Sequence, residues 1–80
     1  MTMVYAYIMV KAAPVSGGID QLKQDLLAVS DGIVSAHIVA GDVDFIVKVE
    51  VDSPTEVKDI AGGIQSVAGI EDTQTYIAMD

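Results

Sequence analysis

From Phe45 to Val51 every second residue is bulky and apolar: Phe45, Val47, Val49 and Val51, with Lys48 and Glu50 between them. That alternation builds a strand with one buried face and one partly wet face. Just before it, Ala40-Gly41-Asp42-Val43-Asp44 reads as a tight turn. Gly41 takes a positive φ without steric cost, and Asp42 is at home in turns. Upstream again, Ile33 to Ala40 is strand-like. The three pieces predict a β-hairpin with Gly-Asp-x-Asp at its tip. Flexible backbone and two carboxylates converge there and nowhere else in the chain.

The remaining segments arrange themselves around this hairpin. Met3 to Ala13 reads as a strand, with Val4, Ala6, Ile8 and Val10 on one face and Tyr5, Tyr7, Met9 and Lys11 on the other. Both faces are largely apolar, as in a central strand covered twice. A turn over Pro14 to Gly18 leads to a helix from Gly18 to Val29. Ile19, Leu22, Leu26 and Val29 form its apolar side. Ser16 or Gly17 is the expected cap, with Asp20 and Gln21 at the positive end of the helix dipole. Ser30-Asp31-Gly32 is expected to stop the helix through a left-handed glycine. After the hairpin, Ser53-Pro54-Thr55-Glu56 is a capping box with proline at the first helical position. It starts a second helix that carries Val57, Ile60, Ala61 and Ile64. Gly62-Gly63 inside it implies close packing against a neighbour, or a bend or end of the helix. Ile70 to Met79 is the last strand, with Thr73, Thr75, Ile77 and Met79 opposed to Gln74, Tyr76 and Ala78.

The order β-α-β-β-α-β, with two right-handed crossovers joined by a hairpin, predicts an α+β ferredoxin-like sandwich over residues 1–80, a single domain. The expected sheet is antiparallel in the order 4-1-3-2, with both helices on one face. The other face then presents Tyr5, Tyr7 and Met9. A chain of 80 residues has a marginal core, yet 51% of this one is apolar. The excess favours burial of that second face against a copy of the same chain. Cysteine is absent, so neither disulfides nor zinc thiolates stabilise the fold.

Charge removes whole classes of function. Twelve acidic residues against four lysines and no arginine give a net charge of −8. Direct binding of nucleic acid or of an anionic membrane is excluded on that balance. The balance suits a salt-loving cytoplasm and an ordinary acidic protein equally. A signal peptide and any apolar run of the ~20 residues needed to span a bilayer are both missing, so the expected compartment is the cytoplasm.

Three motifs in order carry a resemblance: Gly32-Ile33-Val34 opening the second strand, the Gly41-Asp42-x-Asp44 turn, and Gly69-Ile70-x-x-Thr73-x-Thr75 leading into the last strand. With these the chain resembles the effector-binding (RAM) domain of the Lrp/AsnC, or feast/famine, transcription regulators. The resemblance implies a ferredoxin-like domain that dimerises through its open sheet face and builds tetramers or octamers from dimers. It implies an amino acid or similar small effector, bound by Ala40, Gly41, Asp42 and Asp44 with Glu71, Asp72 and Thr73. Turn N–H groups and the Thr73 hydroxyl suit an α-carboxylate, and the carboxylates suit an α-ammonium. The absence of arginine favours a basic or neutral amino acid over an acidic one. Members of the family with a helix-turn-helix carry it before this domain. Here the first strand starts within a few residues, so the chain is expected to be a stand-alone form, with a full-length regulator as a candidate partner.

Each feature also has a plainer explanation. Asp42 and Asp44 serve equally as a turn former and a solvated strand start. As metal ligands they are too few, since hard cations take six or more oxygens. Glu71 and Asp72 also read as surface charge. His37, the lone histidine, has no catalytic partner motif beside it and reads as a strand-face or interface residue. No catalytic residue, cofactor or metal is expected. Three functions stay open: an effector-binding assembly domain, an assembly domain without an effector, and a small ferredoxin-like dimeric enzyme. The chain has neither Trp nor Asn, so the His-Asn-Trp constellation of such enzymes is missing.

Overall fold

Alternation decides the architecture. In the computed structural model, which describes residues 3–14 and 17–79, β1 (Val4–Ala12), β2 (Ile33–Ile38), β3 (Phe45–Val51) and β4 (Ile70–Ile77) form one sheet. Helices α1 (Gly18–Leu27) and α2 (Pro54–Gln65) connect them. All pairings are antiparallel, in the order β2-β3-β1-β4. This is the expected ferredoxin-like α+β sheet, read from its other edge.

Residues directly opposite one another share a face. Val10, Ile8 and Ala6 of β1 stand opposite Phe45, Val47 and Val49 of β3, and all six are fully buried. Leu22 and Leu26 from α1, and Val57, Ile60 and Ile64 from α2, close over them in a single cluster. The intervening residues Tyr5 and Tyr7 stay exposed. Both helices therefore lie on the same side of the sheet.

The local signals at α2 act as expected. The Glu56 carboxylate accepts hydrogen bonds from the N–H groups of Asp52 and Ser53, each 2.9 Å. The Ser53 hydroxyl donates to the same oxygen. Backbone donors that the first turn leaves unpaired are satisfied this way. The helix runs through Gly62-Gly63 and ends two residues later, at Gln65. A side chain on Gly63 would come within 2.8 Å of Val29 Cγ1, whereas Gly62 faces open space. Close packing thus accounts for one of the two glycines.

Three expectations are corrected. Helix α1 ends at Leu27, with Ala28 as C-cap in the right-handed region. Gly17 is its N-cap, and Ser16 lies outside the described residues. Gly32 has no positive φ, so it is no left-handed helix stop. A Cβ at Gly32 would sit 2.6 Å from Val51 Cγ1 and 2.9 Å from Ile60 Cδ1. The glycine lets the chain pass close beneath the core. Finally, β2 ends at Ile38 and does not alternate cleanly. Ile33 opposes Val49 but Ser35 opposes Lys48, so Val34 is an extra residue in a β-bulge. Ile33 and Ala36 both reach the core, three residues apart, while Val34 is exposed.

The uncovered face carries Tyr5, Tyr7, Met9 and Lys11 from β1. Beside them lie Ile46, Lys48 and Glu50 of β3, and Asp72, Gln74 and Tyr76 of β4. His37 lies opposite Ile46 on the same face. Tyr5, Tyr7 and Tyr76 are 38%, 39% and 55% exposed, so the apolar stripe expected on this side is present and uncovered.

Candidate functional site

The hairpin loop is closed by the Val39 N–H donating to the Asp44 carbonyl at 2.9 Å. Gly41, at its tip, has φ +154°, a conformation that L side chains rarely adopt. The two aspartates of the motif then separate in role. Asp44 is tied to β1 twice: its N–H donates to the Val10 carbonyl, and its Oδ2 accepts the Ala12 N–H, both 2.9 Å. The chain has already turned away into the loop at this point. The carboxylate therefore takes the rung that a strand carbonyl would have taken. Asp42 stays exposed at the tip.

Asp42 and Val43 hang over the end of the open sheet face. There they form one side of a depression of about 300 Å³. Met9 and Lys11 of β1 line its floor, and Asp72, Thr73 and Gln74 of β4 its far side. Register explains the meeting. Lys11 stands opposite Asp72 and Met9 opposite Gln74. The pairing then skips, with Ala12 opposite Ile70. Glu71 is the extra residue of that bulge and lies exposed, outside the depression.

Of the expected residues, Asp42, Asp72 and Thr73 come together. Asp44 lines a separate depression of about 340 Å³ on the helix side, with Ala12, Pro14, Ile19 and Leu22. Ala40, Gly41 and Glu71 line neither. Within the site, Asp72 Oδ1 accepts the Thr73 N–H at 2.9 Å, and the Thr73 hydroxyl donates to Gln65 Oε1 at 3.2 Å. Thr73 therefore offers backbone to the depression and turns its hydroxyl toward α2.

Met9, Lys11, Val43 and Gln74 went unnoticed in the sequence. Alternation had placed Met9 and Lys11 together on one face of their strand, and the missing piece was the register against β4. Among the described residues no cluster of three or more His, Cys, Asp or Glu side chains is arranged to hold a metal ion. No helix among them is long and apolar enough to cross a membrane.

The fold and the hairpin loop define an α+β ferredoxin-like domain, and comparison with known proteins gives it a family. The Lrp/AsnC ligand binding domain matches residues 5–80, and the chain belongs to that family. The crystal structure of FFRP-DM1 is 32% identical, covering 95% of this chain and 99% of its own, with a TM-score of 0.80. PHS023, a hypothetical protein from Pyrococcus horikoshii, is 31% identical, with 95% and 89% coverage and a TM-score of 0.78. A feast or famine regulatory protein from M. tuberculosis, solved with L-methionine, is 20% identical with a TM-score of 0.74. There the match covers 96% of this chain but 50% of the regulator. No curated protein matches.

Proposed function

We propose that this chain is a small-molecule sensing and assembly domain. It takes an amino acid or similar effector in the Lys11–Asp42–Asp72 depression and associates with itself through the open sheet face. The observation that carries the reading is the meeting of the hairpin loop and the start of β4 around one depression on that face. A ligand there touches both the hairpin loop and the sheet that a second copy would cover, so binding and assembly are linked. The family supports the ligand-binding half of this reading. The M. tuberculosis regulator with L-methionine shows what one relative takes.

The domain acts in the cytoplasm as a homo-oligomer, a dimer or a tetramer or octamer built from dimers. It modulates transcription or metabolism indirectly, with a full-length Lrp/AsnC regulator as a further partner. It neither binds nucleic acid itself nor performs catalysis. The charge of −8 supports the first of these statements.

A thermal-shift screen of the twenty amino acids tests the reading. A ligand binding only the folded state at 100 times its dissociation constant adds about 2.7 kcal/mol. For a domain of this size, that is a rise in Tm on the order of 10 °C. One class of amino acid should produce that rise. A flat response across all twenty, from folded protein, would remove the effector and leave an assembly domain.

A further inference from the structure

We propose that Lys11 holds the effector's carboxylate, and that the carboxylates beside it turn away α-amino acids with acidic side chains. This inference rests on reading the depression as the effector site.

Lys11 is the only cation among the described residues that line the depression. Two carboxylates share the space with it, and they are not equivalent. Asp72 stands directly across the strand pair from Lys11, and one of its oxygens is already engaged by the Thr73 N–H. Opposite charges directly across two strands attract, so Asp72 is a positioning residue that steers the lysine ammonium. Asp42 comes from the hairpin loop, on the other side of the depression. One ammonium and one loop carboxylate are thus presented to a ligand from different elements. That is the complement of a zwitterion: Lys11 for the α-carboxylate, Asp42 for the α-ammonium.

The side chain is constrained by what remains. Met9 and Val43 are the apolar part of the lining, and Thr73 and Gln74 are uncharged. A thioether adapts to irregular apolar shapes. An acidic side chain would add a carboxylate beside Asp42 and Asp72, in a protein of net charge −8. A basic side chain meets two carboxylates against one ammonium, and an uncharged one adds no charge, so neither carries that penalty. The lysine thus supplies the cation that the absence of arginine had left open.

Isothermal titration of the full chain tests this with L-methionine, L-leucine and L-glutamate, and with L-methioninamide, which keeps the ammonium and loses the carboxylate. The neutral amino acids should bind at least tenfold more tightly than L-glutamate. Lys11→Met should weaken L-methionine tenfold or more, and Lys11→Arg should stay within a few-fold of wild type. Wild type should lose a similar factor on passing from L-methionine to the amide. Lys11→Met should lose little more on that change, because lysine and carboxylate are one interaction. Equal losses on the amide in both proteins, or unchanged L-methionine affinity in Lys11→Met, would overturn the role of Lys11 and leave the effector site standing. Tighter binding of L-glutamate than of L-methionine would overturn the specificity. No binding of any probe to folded wild type would bring down the effector reading and this inference together.

Discussion

The two faces of the one sheet differ in what they are for. On the helix side, β1 and β3 bury Ala6, Ile8, Val10, Phe45, Val47 and Val49 completely under α1 and α2. On the other side, the same two strands present Tyr5, Tyr7, Met9 and Ile46 with no helix over them. A strand alternates by geometry, so apolar residues on both faces of β1 require two covers, and the chain supplies one. Folding is thus encoded by one set of alternate residues of these strands, and the proposed self-association by the other set. The candidate effector site lies at the end of the open face, where a ligand could affect that association without disturbing the core.

Substitutions on the two faces should separate these roles. Phe45→Ala empties the centre of the helix-covered side and should cost about 3–5 kcal/mol by urea unfolding. A loss under 1 kcal/mol would show that the core is organised elsewhere. Next in size is the contrast between the motif's two carboxylates. Asp44→Ala removes the acceptor of the Ala12 N–H and should cost about 1.5–3 kcal/mol. Asp42→Ala should shift stability by no more than about 0.5 kcal/mol while weakening the effector. Equal effects on stability would refute the division of labour drawn between them.

Tyr7→Lys places a charge in the middle of the open face. It should weaken self-association by tenfold or more, about 1.4 kcal/mol, while the dilute protein keeps its far-UV circular dichroism. An unchanged association constant by sedimentation would move the interface elsewhere. The smallest test uses neighbouring glycines of α2. Gly62→Ala meets open space and should stabilise by about 0.5–1 kcal/mol through helix propensity. Gly63→Ala runs into Val29 at 2.8 Å and should lower Tm. The same sign for both would mean that the packing of α2 on the α1 end is looser than described.

Much of this division was legible in the residues, because strong periodicity survives wherever a strand is central. Phe45 to Val51 alternates without a break, and the structure follows it. The capping box at Ser53–Glu56 is equally local and needed no tertiary information. The misreadings arise where a distant contact decides. Plain alternation sets Val34 on the same face as Ala36, and the bulge against β3 moves it. Gly32 looked like a helix stop, yet its smallness answers to Val51 and Ile60, which lie far along the chain. The site was half legible for the same reason. The turn chemistry of Gly41 and Asp42 is local, so it could be seen. Lys11 joins the site only through its register with Asp72, which no single strand reveals.

If the open face is an assembly face, light scattering coupled to size exclusion at micromolar concentration will show it. The expected mass is at least twice the 8.4 kDa of one chain, falling toward one chain in Tyr7→Lys. A wild-type protein that elutes at 8.4 kDa and stays folded would contradict it.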